Sequence, residues 1–180
     1  QPESAHNSIA KKGQGRNSLA ESRDSVSGGV KGQRPLRLLI IGRNITMRTH
    51  SPNKTRELAK RLAKELRRGD VLLLWGDLGA GKSEFTRGLA QGLGVTATVT
   101  SPSFTILNVY DDGRIPLYHF DWYRLNSVEE LYEMGMEEFL GGDGVAVVEW
   151  PSQCPEAIPE THLAIRLIPV DETTRDVTIT

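Results

Sequence analysis

The stretch that decides the fold of this chain is residues 71–83, VLLLWGDLGAGKS. It matches G-x-x-x-x-G-K-[ST], the phosphate-binding loop or P-loop. An apolar run with β propensity precedes the glycines, and a segment of helical periodicity follows them. Strand, loop and helix in this order form the context in which such a loop occurs. Motif and context therefore both predict that the loop binds the phosphates of a nucleotide.

The residue types in the loop explain how it would hold an anion. Glycine allows the backbone to adopt positive φ and to come close to a ligand, so successive N–H groups can point at phosphate oxygens. The N-terminus of the following helix adds unpaired donors and a partial positive charge. Lys82 is expected to reach the β- and γ-phosphates, and the Ser83 hydroxyl to ligate a magnesium ion that bridges them.

Length and composition limit the other possibilities. The 180 residues fit one domain of residues 45–180 preceded by a tail of residues 1–44. That tail is basic and poor in large apolar side chains, so we expect it to be disordered. The chain has one cysteine and four scattered histidines, which excludes an internal disulfide and argues against a zinc site. No apolar run approaches the roughly 18 residues of a membrane helix, so a cytoplasmic protein without membrane contact is expected.

The net charge of −1 conceals an asymmetry along the chain. Residues 1–46 contain eight Lys and Arg against three acids, whereas residues 47–180 contain 14 against 20. An acidic domain does not attract nucleic acid as a whole. Any role involving RNA is therefore expected to be indirect, through a protein partner.

Further along the chain the patterns predict several elements. A helix is predicted over Thr55–Arg68 with Ser51 as its N-cap, and another over Val128–Leu140 with an acidic outer face. Phe104–Tyr110 and Ile115–Phe120 flank a turn at residues 111–114 and are predicted to form a hairpin. The hydroxyl-rich segment Thr96–Ser103 is predicted to be a loop, either a sensor of the γ-phosphate or a plain surface loop. Two closing antiparallel strands are expected at His162–Val170 and Asp176–Thr180. A short run at Leu36–Ile41 is expected to add a strand or lead into one.

Two later strands end in carboxylates. Asp121 closes the second strand of the hairpin, and its side chain is predicted to share a face with Leu117 and His119. The apolar strand at residues 144–148 ends at Glu149. A buried parallel strand that delivers an acid beside the P-loop strand is the Walker-B arrangement. The alternative for Glu149 is an acid at a strand end that faces water.

Five blocks of residues together resemble the TsaE (YjeE) family of P-loop ATPases of bacterial threonylcarbamoyl-adenosine tRNA modification. The blocks, in the family's order and spacing, are residues 69–88 around the P-loop, 101–105 (SPSFT), 118–125 (YHFDWYRL), 130–135 with Glu-Leu and Met-Gly, and 148–151 (VEWP). The resemblance covers about residues 45–170. The combination of H-F-D-x-Y-R with V-E-W is far more specific than the P-loop alone.

The resemblance implies a fold, an activity and a set of roles. The fold is α/β of the P-loop NTPase type in three layers: a mixed sheet with a mostly parallel core and antiparallel edge strands, and helices on both faces. ATP and Mg²⁺ are the implied ligands, and TsaB and TsaD the implied partners. Lys82, Asp121 and Glu149 are the expected catalytic residues, Ser83 and Glu149 the magnesium ligands, and Trp150 matches a position associated with activity or is an ordinary core aromatic. The expected ATP cradle consists of Asp77, Leu78, Gly79, Ala80, Gly81, Lys82 and Ser83.

Two features of this chain depart from the family pattern. Ser83 stands where Thr is common, which is chemically equivalent for magnesium. Glu84 places an acid in the first helical turn, favourable to the helix dipole but close to phosphate.

Arg87, Arg114 and Arg124 are isolated from one another in sequence, so slow hydrolysis without partners is expected. The alternatives are a small-molecule kinase and a regulatory nucleotide-binding module without catalysis.

Overall fold

The computed structural model of the chain describes residues 44–180. The predicted tail and the possible strand at Leu36–Ile41 lie outside the described residues. The elements in chain order are β1 (Ile45–Thr49), α1 (Pro52–Ala63), β2 (Val71–Trp75), α2 (Lys82–Leu93), β3 (Leu107–Tyr110), β4 (Leu117–Asp121), α3 (Val128–Glu133), β5 (Val145–Glu149), β6 (Leu163–Pro169) and β7 (Arg175–Ile179).

The strands form one mixed sheet in the order β1-β7-β6-β2-β5-β4-β3. Strands β6, β2, β5 and β4 are parallel to one another, while β7 runs antiparallel to β6 and β3 antiparallel to β4. The predicted parallel core with antiparallel strands towards the edges is confirmed. The two closing strands predicted to be antiparallel do pair that way with each other, as β6 and β7. Strand β6 does not lie at the edge, because it also pairs in parallel with β2 and so lies inside the sheet. One face of β6 is apolar and buried, with Ile165 and Leu167, whereas Arg166 and Ile168 on the other face are exposed.

Helices α1 and α2 cover one face of the sheet. Their apolar stripes pack on the side chains that β2, β5 and β6 direct to that face. The two helices approach closely because α2 carries glycine at its crossing with α1: a Cβ at Gly88 would lie 2.8 Å from the Cβ of Ala59, and one at Gly92 would lie 2.5 Å from that of Ala63. The predicted N-cap of α1 is confirmed, since Ser51 Oγ accepts the N–H of Lys54 at 3.2 Å. The helix ends at Ala63, earlier than predicted.

The opposite face is covered by shorter elements. Leu73, Phe120, Trp122 and Val148 form its core together with Leu131 of α3. The prediction of one continuous helix over residues 128–140 is wrong. Helix α3 ends at Glu133, because Gly135 adopts a left-handed conformation (φ 63°) and the chain continues as a 3₁₀ turn over Met136–Phe139. Helical segments therefore lie on both faces, as predicted, with the long pair on one side only.

The predicted hairpin is confirmed, with Tyr110 opposite Leu117 across the turn. Its first strand is shorter than predicted and begins at Leu107. The preceding residues form a turn in which Ile106 has φ 65° and donates its N–H to Pro102 O at 2.7 Å.

Among the helices of residues 44–180, none is long and apolar enough to cross a membrane.

Candidate functional site

The P-loop lies where the sequence predicts it, between the end of β2 at Trp75 and the start of α2 at Lys82. Gly76, Gly79 and Gly81 all have positive φ, of 152°, 77° and 104°. At Gly76 a side chain is also excluded by space, because a Cβ would lie 2.6 Å from Leu167 O of β6. The loop can therefore take this path only with glycine at these positions.

Lys82 is buried at the base of the loop. Its ammonium group donates to Gly76 O at 2.7 Å and to Asp77 O at 3.0 Å, and it lies 3.9 Å from the centre of the Trp150 ring. Burial lowers the pKa of Lys82 below its usual value, and the carboxylates of Glu149 and Asp121 act in the opposite direction. The side chain is thus fixed beside the loop that would hold phosphates.

Glu149 ends β5, which pairs directly with the P-loop strand β2. Its side chain is 3% exposed, and its Oε1 accepts from Ser83 Oγ at 3.2 Å and from His119 Nε2 at 2.9 Å. The alternative of an acid that faces water is therefore wrong. The two residues predicted to ligate magnesium, Ser83 and Glu149, are brought together in one hydrogen-bonded pair.

His119 contacts the site through Glu149, although it is not among the residues predicted to act there. It lies on β4, two residues before Asp121, and its side chain is completely buried. The Glu149 carboxylate oxygen is an acceptor, so His119 carries a proton on Nε2. Its Nδ1 has no hydrogen-bond partner among residues 44–180. Two signals in the sequence point to His119: the side-chain alternation that puts it on the same face as Asp121, and its position in the H-F-D-x-Y-R block.

Asp121 stands beside Glu149 at the same edge of the sheet, as its register partner on the neighbouring strand. Its Oδ2 accepts from Ser103 Oγ at 2.7 Å and from Ser101 Oγ at 3.3 Å, and its Oδ1 accepts from the N–H of Tyr123 at 3.1 Å. The predicted loop over Thr96–Ser103 is confirmed as a loop, and it touches the site through these hydroxyls.

Trp150 follows Glu149 in a left-handed conformation with φ 60°, which is uncommon for a residue other than glycine. This backbone turn places the indole against Lys82 and also against the ring of Tyr123, at a centroid distance of 5.1 Å. The residue is therefore not an ordinary core aromatic. Its ring borders the site beside the Lys82 ammonium.

Glu84, the second departure from the family pattern, has a structural explanation. Its carboxylate forms ion pairs with Arg56 of α1 and with Arg87 of α2. Arg87 also donates from Nε to Val99 O at 3.2 Å. Glu84 thus joins the two long helices, and both of its oxygens are occupied by guanidinium groups.

An open cleft of about 350 Å³ connects these groups. Of the seven residues predicted to form the ATP cradle, Asp77 and Ala80 do not line the cleft, whereas the other five do. The lining residues are Leu78, Gly79, Gly81, Lys82, Ser83, Glu84, Arg87, Ser101, Ser103, Asp121, Glu149 and Trp150. Asp77 O instead closes the loop by accepting the N–H of Ala80 at 3.1 Å.

The oxygen donors of the cleft suit a magnesium ion that shares its coordination with phosphates and water, rather than a metal ion held only by protein side chains. Residues 44–180 contain no cluster of three or more His, Cys, Asp or Glu side chains suited to a metal ion. Magnesium is usually held by one or two protein oxygens, with waters and substrate phosphates completing its coordination. The Ser83 hydroxyl and the Glu149 carboxylate are such oxygens, and both face the cleft.

Comparisons with known proteins agree with this architecture. The family model "Threonylcarbamoyl adenosine biosynthesis protein TsaE" matches residues 49–177. The tRNA threonylcarbamoyladenosine biosynthesis protein TsaE of Bacillus subtilis is 43% identical over 138 residues, which are 77% of this chain and 86% of that protein. Its namesake in Streptomyces coelicolor is 47% identical over 116 residues, 62% of this chain and 77% of that protein.

A solved structure gives the same result. The crystal structure of Bacillus subtilis YdiB superposes with a TM-score of 0.66 at 40% sequence identity, covering 76% of this chain and 84% of that one. Sequence, family model and fold thus point the same way. The chain belongs to the TsaE family.

Proposed function

We propose that this protein is the magnesium-dependent, ATP-hydrolysing component of the machinery that makes threonylcarbamoyladenosine in tRNA, and that it acts with TsaB and TsaD. The observation that carries the proposal is the convergence of Lys82, Ser83, Asp121 and Glu149 on one cleft at the carboxyl ends of parallel strands. This edge is where open α/β sheets bind their ligands.

The roles follow from the positions of the groups. Lys82 binds β- and γ-phosphate oxygens, because its ammonium is held at the base of the loop and carries three donors. The N-terminus of α2 and the loop N–H groups bind the same anion. Ser83 and Glu149 would hold Mg²⁺, which supplies neutralisation of the charge that develops on the phosphates.

Asp121 is proposed to orient the attacking water. Its carboxylate lines the cleft next to Glu149, and hydroxyls of Ser101 and Ser103 fix its orientation. A carboxylate with one oxygen near the reacting phosphate can accept the proton of water or hold the water in line. Because these hydroxyls belong to the loop over residues 96–103, a change in that loop would alter the position of Asp121.

Slow turnover of the isolated protein is part of the proposal. Among the described residues that line the cleft, Arg87 is the one arginine, and its guanidinium is bonded to Glu84 and to Val99 O. Arg114 donates to Ala63 O and Leu66 O, and Arg124 stacks on the ring of Phe104. An arginine supplied to the transition state is worth about 10³–10⁵ in rate. The missing charge is therefore proposed to come from the protein partners.

The biological assignment rests on the relatives. Both bacterial relatives carry a name that refers to tRNA threonylcarbamoyladenosine biosynthesis. Contact with tRNA is proposed to be indirect, because residues 47–180 contain more acids than bases. Action in the cytoplasm, where tRNA is modified, is the corresponding localisation.

The test is phosphate release from ATP by the purified protein, alone and with TsaB and TsaD. The variant Glu149→Gln should keep ATP binding and lose turnover, because the amide preserves shape but not charge. Glu156→Gln changes an exposed acid in the loop after β5 and serves as the matched control. Slow release alone and faster release with the partners is the expected result. Fast turnover without partners would contradict the proposal, transfer of phosphate to a small acceptor would indicate a kinase, and binding without turnover under any condition would indicate a regulatory module.

A further inference from the structure

Arg175, the first residue of β7, contacts the P-loop from outside the cleft. Its Nε donates to Ala80 O at 3.0 Å, and its Nη2 donates to Gly79 O at 3.2 Å. These are carbonyls of the loop itself. Arg175 is not among the residues that line the cleft. Arg175 therefore contacts the P-loop but does not lie where it could contact a nucleotide bound by that loop.

The remaining donors of the same guanidinium hold it to the turn between β6 and β7. Nη1 donates to the carbonyls of Asp171 at 2.8 Å, Thr174 at 3.0 Å and Glu172 at 3.3 Å. The turn is itself fixed, because Asp171 Oδ1 accepts the N–H groups of Thr173 at 2.8 Å and Thr174 at 2.7 Å. Those two bonds, together with hydrogen bonds from the side chains of the same threonines, lower the pKa of Asp171 to about 2. The arginine is thus a bridge between a rigid turn and the P-loop.

Peptide geometry gives this bridge a consequence for the cleft. A trans peptide unit is planar, so its C=O and N–H point in opposite directions. When Arg175 holds Ala80 O, the N–H of the next residue, Gly81, is directed away from Arg175, and Gly81 lines the cleft. Gly81 has φ 104° and, with no side chain, could rotate easily. The guanidinium restrains that rotation.

We propose that Arg175 is a positioning residue that fixes the P-loop in its phosphate-binding conformation by holding the carbonyls of Gly79 and Ala80. The proposal rests on the function proposed above, in that the loop is taken to bind a nucleotide. Arginine is required because its planar fork reaches two segments at once, whereas a lysine ammonium is a single point charge. Preorganisation of the loop lowers the conformational cost of binding.

The test compares Arg175→Met and Arg175→Lys with the wild type. Arg48→Met is the matched control, since Arg48 forms a two-bond fork with Asp176, the residue next to Arg175, and does not contact the loop. Two quantities are measured: hydrogen exchange of the peptide covering residues 76–85 in nucleotide-free protein, and the dissociation constant for Mg-ATP by calorimetry. Thermal unfolding reports whether each variant is folded.

Both Arg175 variants should exchange faster in the loop peptide, and both should bind Mg-ATP about tenfold more weakly, the effect of roughly 1.4 kcal/mol. Arg48→Met should stay within about twofold of the wild type. If Arg175→Met does not fold, Arg175→Lys, which keeps the charge and the stem, carries the test.

Unchanged loop exchange in a folded variant would overturn the proposal. So would full recovery of affinity by lysine, because a charge alone would then suffice. A wild-type protein that does not bind ATP would refute the proposed function instead, and loop exchange in nucleotide-free protein would still test the role of Arg175.

Discussion

Replacement of His119 tests whether the buried hydrogen bond to Glu149 holds the acid in place. His119→Leu removes one of the two side-chain donors to Glu149 Oε1, leaving Ser83. Glu149 is 3% exposed, so water cannot readily replace the lost donor. Oε1 keeps the Ser83 donor, so the loss is one hydrogen bond to a charged group, which is worth about 1.5–3 kcal/mol. We therefore expect the free energy of unfolding to fall by about 2–3 kcal/mol.

His119→Gln is the informative partner variant. Its amide nitrogen can reach the position of the imidazole Nε2 and donate to the same oxygen, and nothing is lost at Nδ1, which has no partner within residues 44–180. More than half of the lost stability should return. The exposed residue His50 provides the control, since His50→Leu should change stability by less than about 0.5 kcal/mol.

The assay is urea unfolding followed by tryptophan fluorescence, with phosphate release measured on the same preparations. His119→Leu should lower turnover more than it weakens ATP binding in the absence of magnesium, because it disturbs Glu149 and not the loop. A leucine variant as stable as the wild type would refute the reasoning. Equal behaviour of the leucine and glutamine variants would do so as well.

Three further predictions concern separate parts of the molecule. Gly88→Ala should destabilise the fold by about 1–3 kcal/mol in urea unfolding, despite the better helix propensity of alanine, because the new Cβ meets α1 at Arg56 O and Ala59; a gain in stability would contradict the close helix contact. Asp121→Asn should lower turnover by about 100-fold while ATP affinity changes less than about threefold, as measured by phosphate release and calorimetry; loss of binding instead would argue against a role in activating water. The pKa of Asp171 lies at about 2 in the folded protein, so the contribution of its carboxylate to stability is present at neutral pH and is lost as the pH falls below the usual aspartate range towards about 2. The free energy of unfolding of Asp171→Asn, measured by urea unfolding, should therefore depend less on pH in that window. A pH profile identical to that of the wild type would contradict this.

The parts of the site that were predictable from sequence are those encoded locally. The P-loop is a contiguous motif, and Glu149 and Asp121 each end an apolar strand, so strand alternation and the parallel arrangement predict where their side chains meet. The register pairing of Asp121 with Glu149 follows the same logic. The hairpin was recognisable because its turn is short and polar.

The parts that were missed depend on contacts between distant segments. Arg175 is hydrogen-bonded to Ala80, 95 residues earlier in the sequence, and no local sequence pattern around either residue predicts that contact. The same holds for Glu84, whose partner Arg56 lies on another helix 28 residues away. Helix α3 was overestimated because its apolar spacing continues beyond Met134, although the left-handed Gly135 stops the helix.

The position of β6 between β7 and β2 also could not be predicted from its own sequence. Its alternation is typical of an antiparallel strand, and it does pair that way with β7. Its parallel pairing with β2 depends on the connection that follows β5, where the 3₁₀ turns at Pro151–Gln153 and Pro155–Ala157 return the chain to the other side of β2.

The most direct test of the central claim is a crystal structure of the protein with Mg²⁺ and a non-hydrolysable ATP analogue. The account predicts the β- and γ-phosphates on the loop N–H groups and the Lys82 ammonium, with Mg²⁺ on Ser83 Oγ and on Glu149, directly or through a bound water. A nucleotide bound elsewhere, or a magnesium ion held without Ser83 and Glu149, would contradict it.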